Sequence, residues 1–143
     1  MKALLLTLLL SIGLTGIVFA DAASDAYQNK DFVTAFNEYK QRAEQGEAKA
    51  QRNLGLLYIR GKGVEKNPKE AFNWMKKAAV QGDSYAQYNL GKLYYDGLGT
   101  LNDFKSALKW TTKSAEKGNA DAQYYLGYLY WSSTASRKGN NKE

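Results

Sequence analysis

The pattern of apolar and polar positions changes character along the chain. Residues 3–20 are almost unbroken apolar. From Phe32 onward apolar residues recur at spacings of three and four, the period of helices that bury one stripe. The helical pattern also repeats. GEAKAQRNLGLLYIRGKGVEKNPKEAFNWMKKAAVQ, residues 46–81, lies over GDSYAQYNLGKLYYDGLGTLNDFKSALKWTTKSAEK, residues 82–117, without a gap. At this period of 36 residues Ala50 meets Ala86, Leu54 meets Leu90, Gly55 meets Gly91, Leu57 meets Leu93 and Tyr58 meets Tyr94. Gly61 and Gly63 meet Gly97 and Gly99, and Ala71, Trp74 and Ala79 meet Ala107, Trp110 and Ala115. A third copy starts at Gly118, with Ala122, Leu126, Gly127, Leu129 and Tyr130 in register. A fixed period of this size signals stacked supersecondary units, each one unable to bury its apolar face alone.

Each unit reads as two helices. The first covers Glu47 to Ile59, with Ala50, Leu54, Leu57 and Tyr58 on one stripe and Gly55 where a neighbour must come close. Gly61-Lys62-Gly63 ends it, because glycine enters the left-handed region without strain. Asn67 suits the cap and Pro68 the first turn of the second helix, about Lys69 to Val80; Asn102 or Asp103 takes the cap in the next unit. Asp83 and Asn119 are suited to capping the following first helices. Trp74 and Trp110 recur at a packing position and are expected in the core.

The ends depart from this pattern. Residues 21–45 read as capping helices: a weakly helical entry, a turn at Asn29-Lys30-Asp31, and a helix from Phe32 to Gln45 that matches a second helix, with Glu38 in the tryptophan position. A terminal unit lacks one neighbour, so a polar residue there fits a cap. The third unit, residues 118–131, is partial: its helix is expected to stop at Trp131, and residues 132–143 to form a polar tail, disordered from Ala135. The final helix is then either the plain end of the stack or a docking face for a partner or a second copy. Residues 1–20 have the form of a secretory signal peptide, with Lys2 before the apolar run and small residues near Ala20 and Ala22. The alternative is an uncleaved anchor, since the apolar run approaches spanning length. Cleavage predicts a periplasmic or secreted protein with no stable membrane insertion.

Composition then narrows the chemistry. Cysteine and histidine are absent from the 143 residues, which excludes disulfides, thiol and imidazole catalysis and the common zinc sites. The formal charge is +6, with lysines and acids interspersed, so the surface is mildly basic and nothing resembles a nucleic-acid arm. No serine has a histidine to activate it and no glycine string follows a strand, so no catalytic residue, metal or cofactor is expected.

The string Ala-Gln-x-x-Leu-Gly-x-Leu-Tyr, then Gly-x-Gly, then Ala-x-x-Trp-x-x-x-(Ala/Ser)-Ala-x-x-Gly resembles the Sel1-like repeat, a relative of the tetratricopeptide repeat. It occurs at Ala50–Tyr58, Gly61–Gly63 and Ala71–Gly82, again at Ala86–Tyr94, Gly97–Gly99 and Ala107–Gly118, and in part at Ala122–Tyr130. The resemblance implies an all-α, right-handed α-solenoid of helix–turn–helix repeats. Members commonly act as adaptors in envelope, secretion or signalling complexes. A cysteine-rich secreted branch is linked with penicillin binding and β-lactamase activity, and this chain has no cysteine.

Tetratricopeptide-like solenoids line their concave surface with first helices. On the side of those helices away from the core stripe stand Lys49, Arg52, Asn53, Leu56 and Arg60; then Tyr85, Tyr88, Asn89, Lys92 and Tyr95; then Asp121, Tyr124, Tyr125, Tyr128 and Trp131. Tyrosine offers large contact area at small entropic cost and keeps a hydroxyl for a wet groove. Arg52, Tyr88, Lys92, Tyr95, Tyr124 and Tyr128 are therefore expected to form a groove for a protein or peptide. The competing explanation is that the tyrosines pack between units. Three functions fit: an exported adaptor or scaffold in the cell envelope, a periplasmic immunity protein that neutralises a secreted toxin, or an envelope hydrolase.

Overall fold

The computed structural model describes the backbone of residues 22–139 and the side chains of residues 22–135; the expected signal peptide lies outside the described residues. Seven helices and no strand occur among the described residues. We label them α1 (residues 22–28), α2 (Phe32–Glu44), α3 (Ala48–Arg60), α4 (Pro68–Val80), α5 (Ser84–Asp96), α6 (Phe104–Glu116) and α7 (Ala120–Gly139). The fold is all-α, a solenoid of helix hairpins. Helices α1, α3, α5 and α7 are the first helices of their units, and α2, α4 and α6 the second.

The caps follow the side-chain chemistry. Asp31, Asn67, Asp83, Asp103 and Asn119 accept from the backbone N–H of Thr34, Glu70, Ala86, Ser106 and Ala122 at 2.8–3.1 Å. The Ser106 hydrogen bonds hold the half-buried Asp103 carboxyl below its ordinary value. Gly61 and Gly97 terminate α3 and α5 in the left-handed region, at φ 63° and 66°. Gly63 and Gly99 serve contact as well as conformation. A Cβ on Gly63 would overlap the Phe32 carbonyl at the start of α2, and one on Gly99 the Pro68 carbonyl at the start of α4. Each hairpin turn thus seats its backbone on the second helix of the preceding unit.

Two apolar clusters fill the interior. Ala35, Tyr39, Ala43, Ala50, Leu54 and Leu57 form one, and Met75, Ala78, Ala79, Ala86, Leu90 and Leu93 the next. Full burial of each such leucine contributes about 2 kcal/mol. Phe36 meets Tyr58 edge-on at 5.4 Å, and Phe72 meets Tyr94 in the same way at 5.2 Å. Inside each hairpin a glycine of the first helix lies on the second helix. A Cβ on Gly55 would stand 3.2 Å from the Ala71 carbonyl oxygen, and one on Gly91 3.1 Å from that of Ala107. Close approach of this kind compensates the roughly 1 kcal/mol that mid-helix glycine costs. At Gly127 nothing lies within 4 Å.

Two expectations are corrected here. Helix α7 does not stop at Trp131 but continues to Gly139. Where α3 and α5 meet Gly61 and Gly97, α7 has Ser133, which has a Cβ and disfavours the left-handed cap. The hydroxyls of Ser132, Ser133 and Thr134 donate back to the carbonyls of Leu129, Tyr130 and Trp131 at 2.8–2.9 Å, so they are satisfied within the helix. Trp74 and Trp110 are not interior. Each packs one side against a core cluster and remains half-buried on the second-helix layer, with Lys77 4.0 Å and Lys113 5.1 Å from the respective ring centres.

Candidate functional site on the first-helix face

The expected groove residues stand on α3, α5 and α7, and the structure draws four of the six together. Tyr88 and Tyr95 on α5 face α7. Tyr88 meets Tyr125 edge-on at 5.8 Å, and Tyr95 meets Tyr125 at 6.2 Å and Tyr128 at 5.8 Å. The Tyr95 and Tyr128 hydroxyls lie 3.4 Å apart. Lys92 places its ammonium 5.5 Å from the Tyr88 ring centre and 6.0 Å from that of Tyr125. The arrangement follows from the repeat: α5 and α7 are neighbouring first helices, so residues that miss their own hairpin core meet across the unit boundary.

Tyr125 is the hub of this layer. It stacks on Tyr128 at 5.6 Å and touches both α5 tyrosines. It stands on the expected face but outside the six residues singled out. The available signal was its register, where α3 and α5 carry Asn53 and Asn89. Burial, reinforced by Asp96 and the surrounding tyrosines, pushes its phenol well above the ordinary range. The hydrogen bond with Tyr95 acts in the same direction on Tyr128. Both phenols therefore remain neutral donors at physiological pH.

Tyr124 and Arg52 behave differently. Tyr124 is 84% exposed and makes no ring contact with the cluster among the described residues. With Gln123, Gly127, Tyr128 and Trp131 it lines an open cleft of about 440 Å³. Trp131, 66% exposed, lies 6.2 Å from Tyr128 and extends the aromatic surface. Arg52 pairs with Asp83, the cap of α5, at 3.1 Å and lies 5.3 Å from the Tyr85 ring centre. That pair is partly buried and ties α3 to α5, so much of its charge is already neutralised. At the far end of the face Tyr27, Tyr39, Asn53, Leu56 and Arg60 line a smaller cleft of about 160 Å³, closed by the Arg60–Tyr27 hydrogen bond at 2.7 Å.

The face thus runs from an arginine end, whose cations are engaged, to an aromatic end that is half open. Among the described residues no cluster of acids could hold a metal ion, and no helix is long and apolar enough to cross a membrane. The chemistry on offer is large apolar contact with hydroxyls at its edge, which suits binding to a protein surface or peptide.

Comparison with known proteins agrees. The chain is 43% identical to a Sel1 repeat protein from Oxalobacter formigenes, over 68% of this chain and 40% of that one, with a TM-score of 0.65. It is 30% identical to a protective antigen of uropathogenic Escherichia coli strains that displays an SLR fold, over 80% of this chain and 25% of that one, with a TM-score of 0.75. Cysteine-rich protein B of Helicobacter pylori is 29% identical over 64% of this chain and 69% of its own, with a TM-score of 0.61. The chain therefore spans well under two thirds of the first two relatives. No curated protein matches it. The model of the Sel1 repeat matches residues 48–83, 84–119 and 120–142, and with three matched repeats running from α3 through α7 the chain belongs to the Sel1 repeat family.

Proposed function

We propose that the protein is an exported adaptor that uses the aromatic end of its first-helix face to bind a protein or peptide in the cell envelope. Sel1 repeat proteins generally mediate protein–protein interaction, and their fold is typically a non-enzymatic scaffold. The observation that carries the reading is the half-open layer of Tyr88, Tyr95, Tyr125, Tyr128 and Trp131 around Lys92, with Tyr124 projecting beside it. Monomeric surfaces seldom leave so much aromatic area together without a use for it. Export to the envelope rests on the apolar run and small residues of residues 1–20.

The test is affinity capture from an envelope extract with the purified protein beside its Tyr124→Ala/Tyr128→Ala variant. Circular dichroism checks that the variant retains its helix content. A protein recovered by wild type and lost by the variant supports the reading. Equal recovery by a folded variant refutes it.

A further inference from the structure

The second-helix layer carries a different surface. Helices α4 and α6 hold six lysines and two glutamates. Two clefts lie on this layer, related by the repeat. The first, about 700 Å³, is lined by Gln51, Trp74, Lys77, Val80 and Gln81 among others. The second, about 550 Å³, is lined by the equivalents Gln87, Trp110, Lys113, Glu116 and Lys117, and Val80 walls both. The two clefts therefore adjoin across Val80.

Two substitutions separate them, Glu116 at the place of Val80 and Lys117 at that of Gln81, and the second changes the buried hydrogen bonding. In the first cleft Gln51 donates to the Ala43 carbonyl and its Oε1 accepts from Gln81 at 2.7 Å, so the buried amide is complete. In the second, Gln87 donates to the Ala79 carbonyl at 3.1 Å in the same way. Its Oε1, on a side chain 4% exposed, has no partner among the described residues. The donor position is Lys117, whose ammonium reaches the Gly82 carbonyl at 2.6 Å, as Gln81 reaches that of Gly46 at 3.0 Å, but makes no bond to Gln87. An unmet buried acceptor is costly. The first cleft shows that a donor reaches this oxygen from the side that Lys117 now covers.

We propose that the second cleft is a docking site for an acidic peptide segment, distinct from the first-helix face. A backbone N–H of the peptide completes Gln87 as Lys117, an exposed and rotatable side chain, turns from Gly82 to a peptide carboxylate. Lys113 takes a second carboxylate, and an apolar peptide side chain lies across Val80 beside Trp110. The combination selects a peptide over other polyanions, because phosphate polymers supply negative charge but no N–H for Gln87.

The test measures anisotropy of a fluorescein-labelled peptide of alternating aspartate and leucine against the purified protein. Saturable binding is expected. Lys117→Gln installs the arrangement of the first cleft and should weaken binding by about ten-fold or more, the worth of a charge-assisted bond, while leaving the melting temperature unchanged or higher. Lys117→Met removes the charge but leaves Gln87 open, and should retain more binding than Lys117→Gln. Lys105→Gln makes the same charge change on α6 outside both clefts and should alter Kd by about two-fold or less. Absence of binding, equal loss in Lys105→Gln and Lys117→Gln, or equal affinities of the two Lys117 variants overturns the proposal. So does displacement of the peptide by polyphosphate at equal charge. The Tyr124→Ala/Tyr128→Ala variant should bind this peptide as wild type does, which keeps the two sites separable.

Discussion

The three register-matched glycines Gly55, Gly91 and Gly127 allow one substitution to be made in three environments. Replacing mid-helix glycine by alanine gains about 1 kcal/mol of helix propensity wherever the methyl group has room. At Gly127 nothing lies within 4 Å of the new Cβ, so Gly127→Ala should stabilise by about that amount. At Gly91 the Cβ would overlap the Thr111 hydroxyl and stand 3.1 Å from the Ala107 carbonyl oxygen. Thr111 is fully buried and β-branched, so it yields little. Overpacking there should cost about 1–3 kcal/mol, a net loss of up to about 2 after the propensity gain. Gly55 should fall between, since its nearest contact, at 3.1 Å, is the flexible Cε of Met75. The assay is thermal and urea unfolding followed by circular dichroism at low protein concentration. A stack of this size shifts by about 3–6 °C per kcal/mol, so Gly91→Ala should melt below Gly127→Ala by a readable amount. If Gly127→Ala destabilises as Gly91→Ala does, something covers the face of α7. If Gly91→Ala stabilises as much as Gly127→Ala does, close helix approach is not why the glycine is there.

Other expectations are briefer. Leu90→Ala, at a fully buried position, should cost about 2–5 kcal/mol, read from the urea midpoint. Because the folded Asp103 carboxyl lies below its ordinary 3.8, its stabilisation is present above that value and lost as pH falls through the folded one; Asp103→Ala should flatten the acid limb of a stability–pH curve, and an unchanged limb counts against the cap. The raised phenol of Tyr125 gives the opposite sign: its contribution is whole below the ordinary value of 10.0 and disappears as pH rises towards the folded one. Ultraviolet titration should show the latest-ionising tyrosine disappear in Tyr125→Phe. Ser133→Gly with Ala135→Gly should restore a turn after α7 and lower the helical signal, whereas unchanged helicity would refute the role given to the missing glycines.

The repeat makes the hairpins readable in the sequence, because Gly55, Leu54 and Gly61 each serve a role that recurs at Gly91, Leu90 and Gly97 in the next complete unit. What the repeat could not show was how a unit ends when its glycine is replaced. Ser132, Ser133 and Thr134 suit turns and helices alike, and with no glycine after them the helix is the more stable choice. Trp74 misled for a related reason. A recurring aromatic marks a packing position, but the outer layer of a solenoid packs on one side only. On the candidate face, the stripe of tyrosines was visible as spacing. Its centre at Tyr125 and the engagement of Arg52 by Asp83 depend on contacts between one first helix and the next, which spacing within one helix does not reveal.

The seating of Gly63 on Phe32 and of Gly99 on Pro68 joins main chain to main chain. The step from one unit to the next is therefore set at these points without reference to which side chains the unit displays. Both surfaces are then free to diverge while the geometry stays constant. The array can also grow: a further block of 36 residues, copied between Asp83 and Ser84, would bring its own glycine pair and dock by the same contact. Lengthening by duplication would add area to each surface without disturbing what the existing units hold.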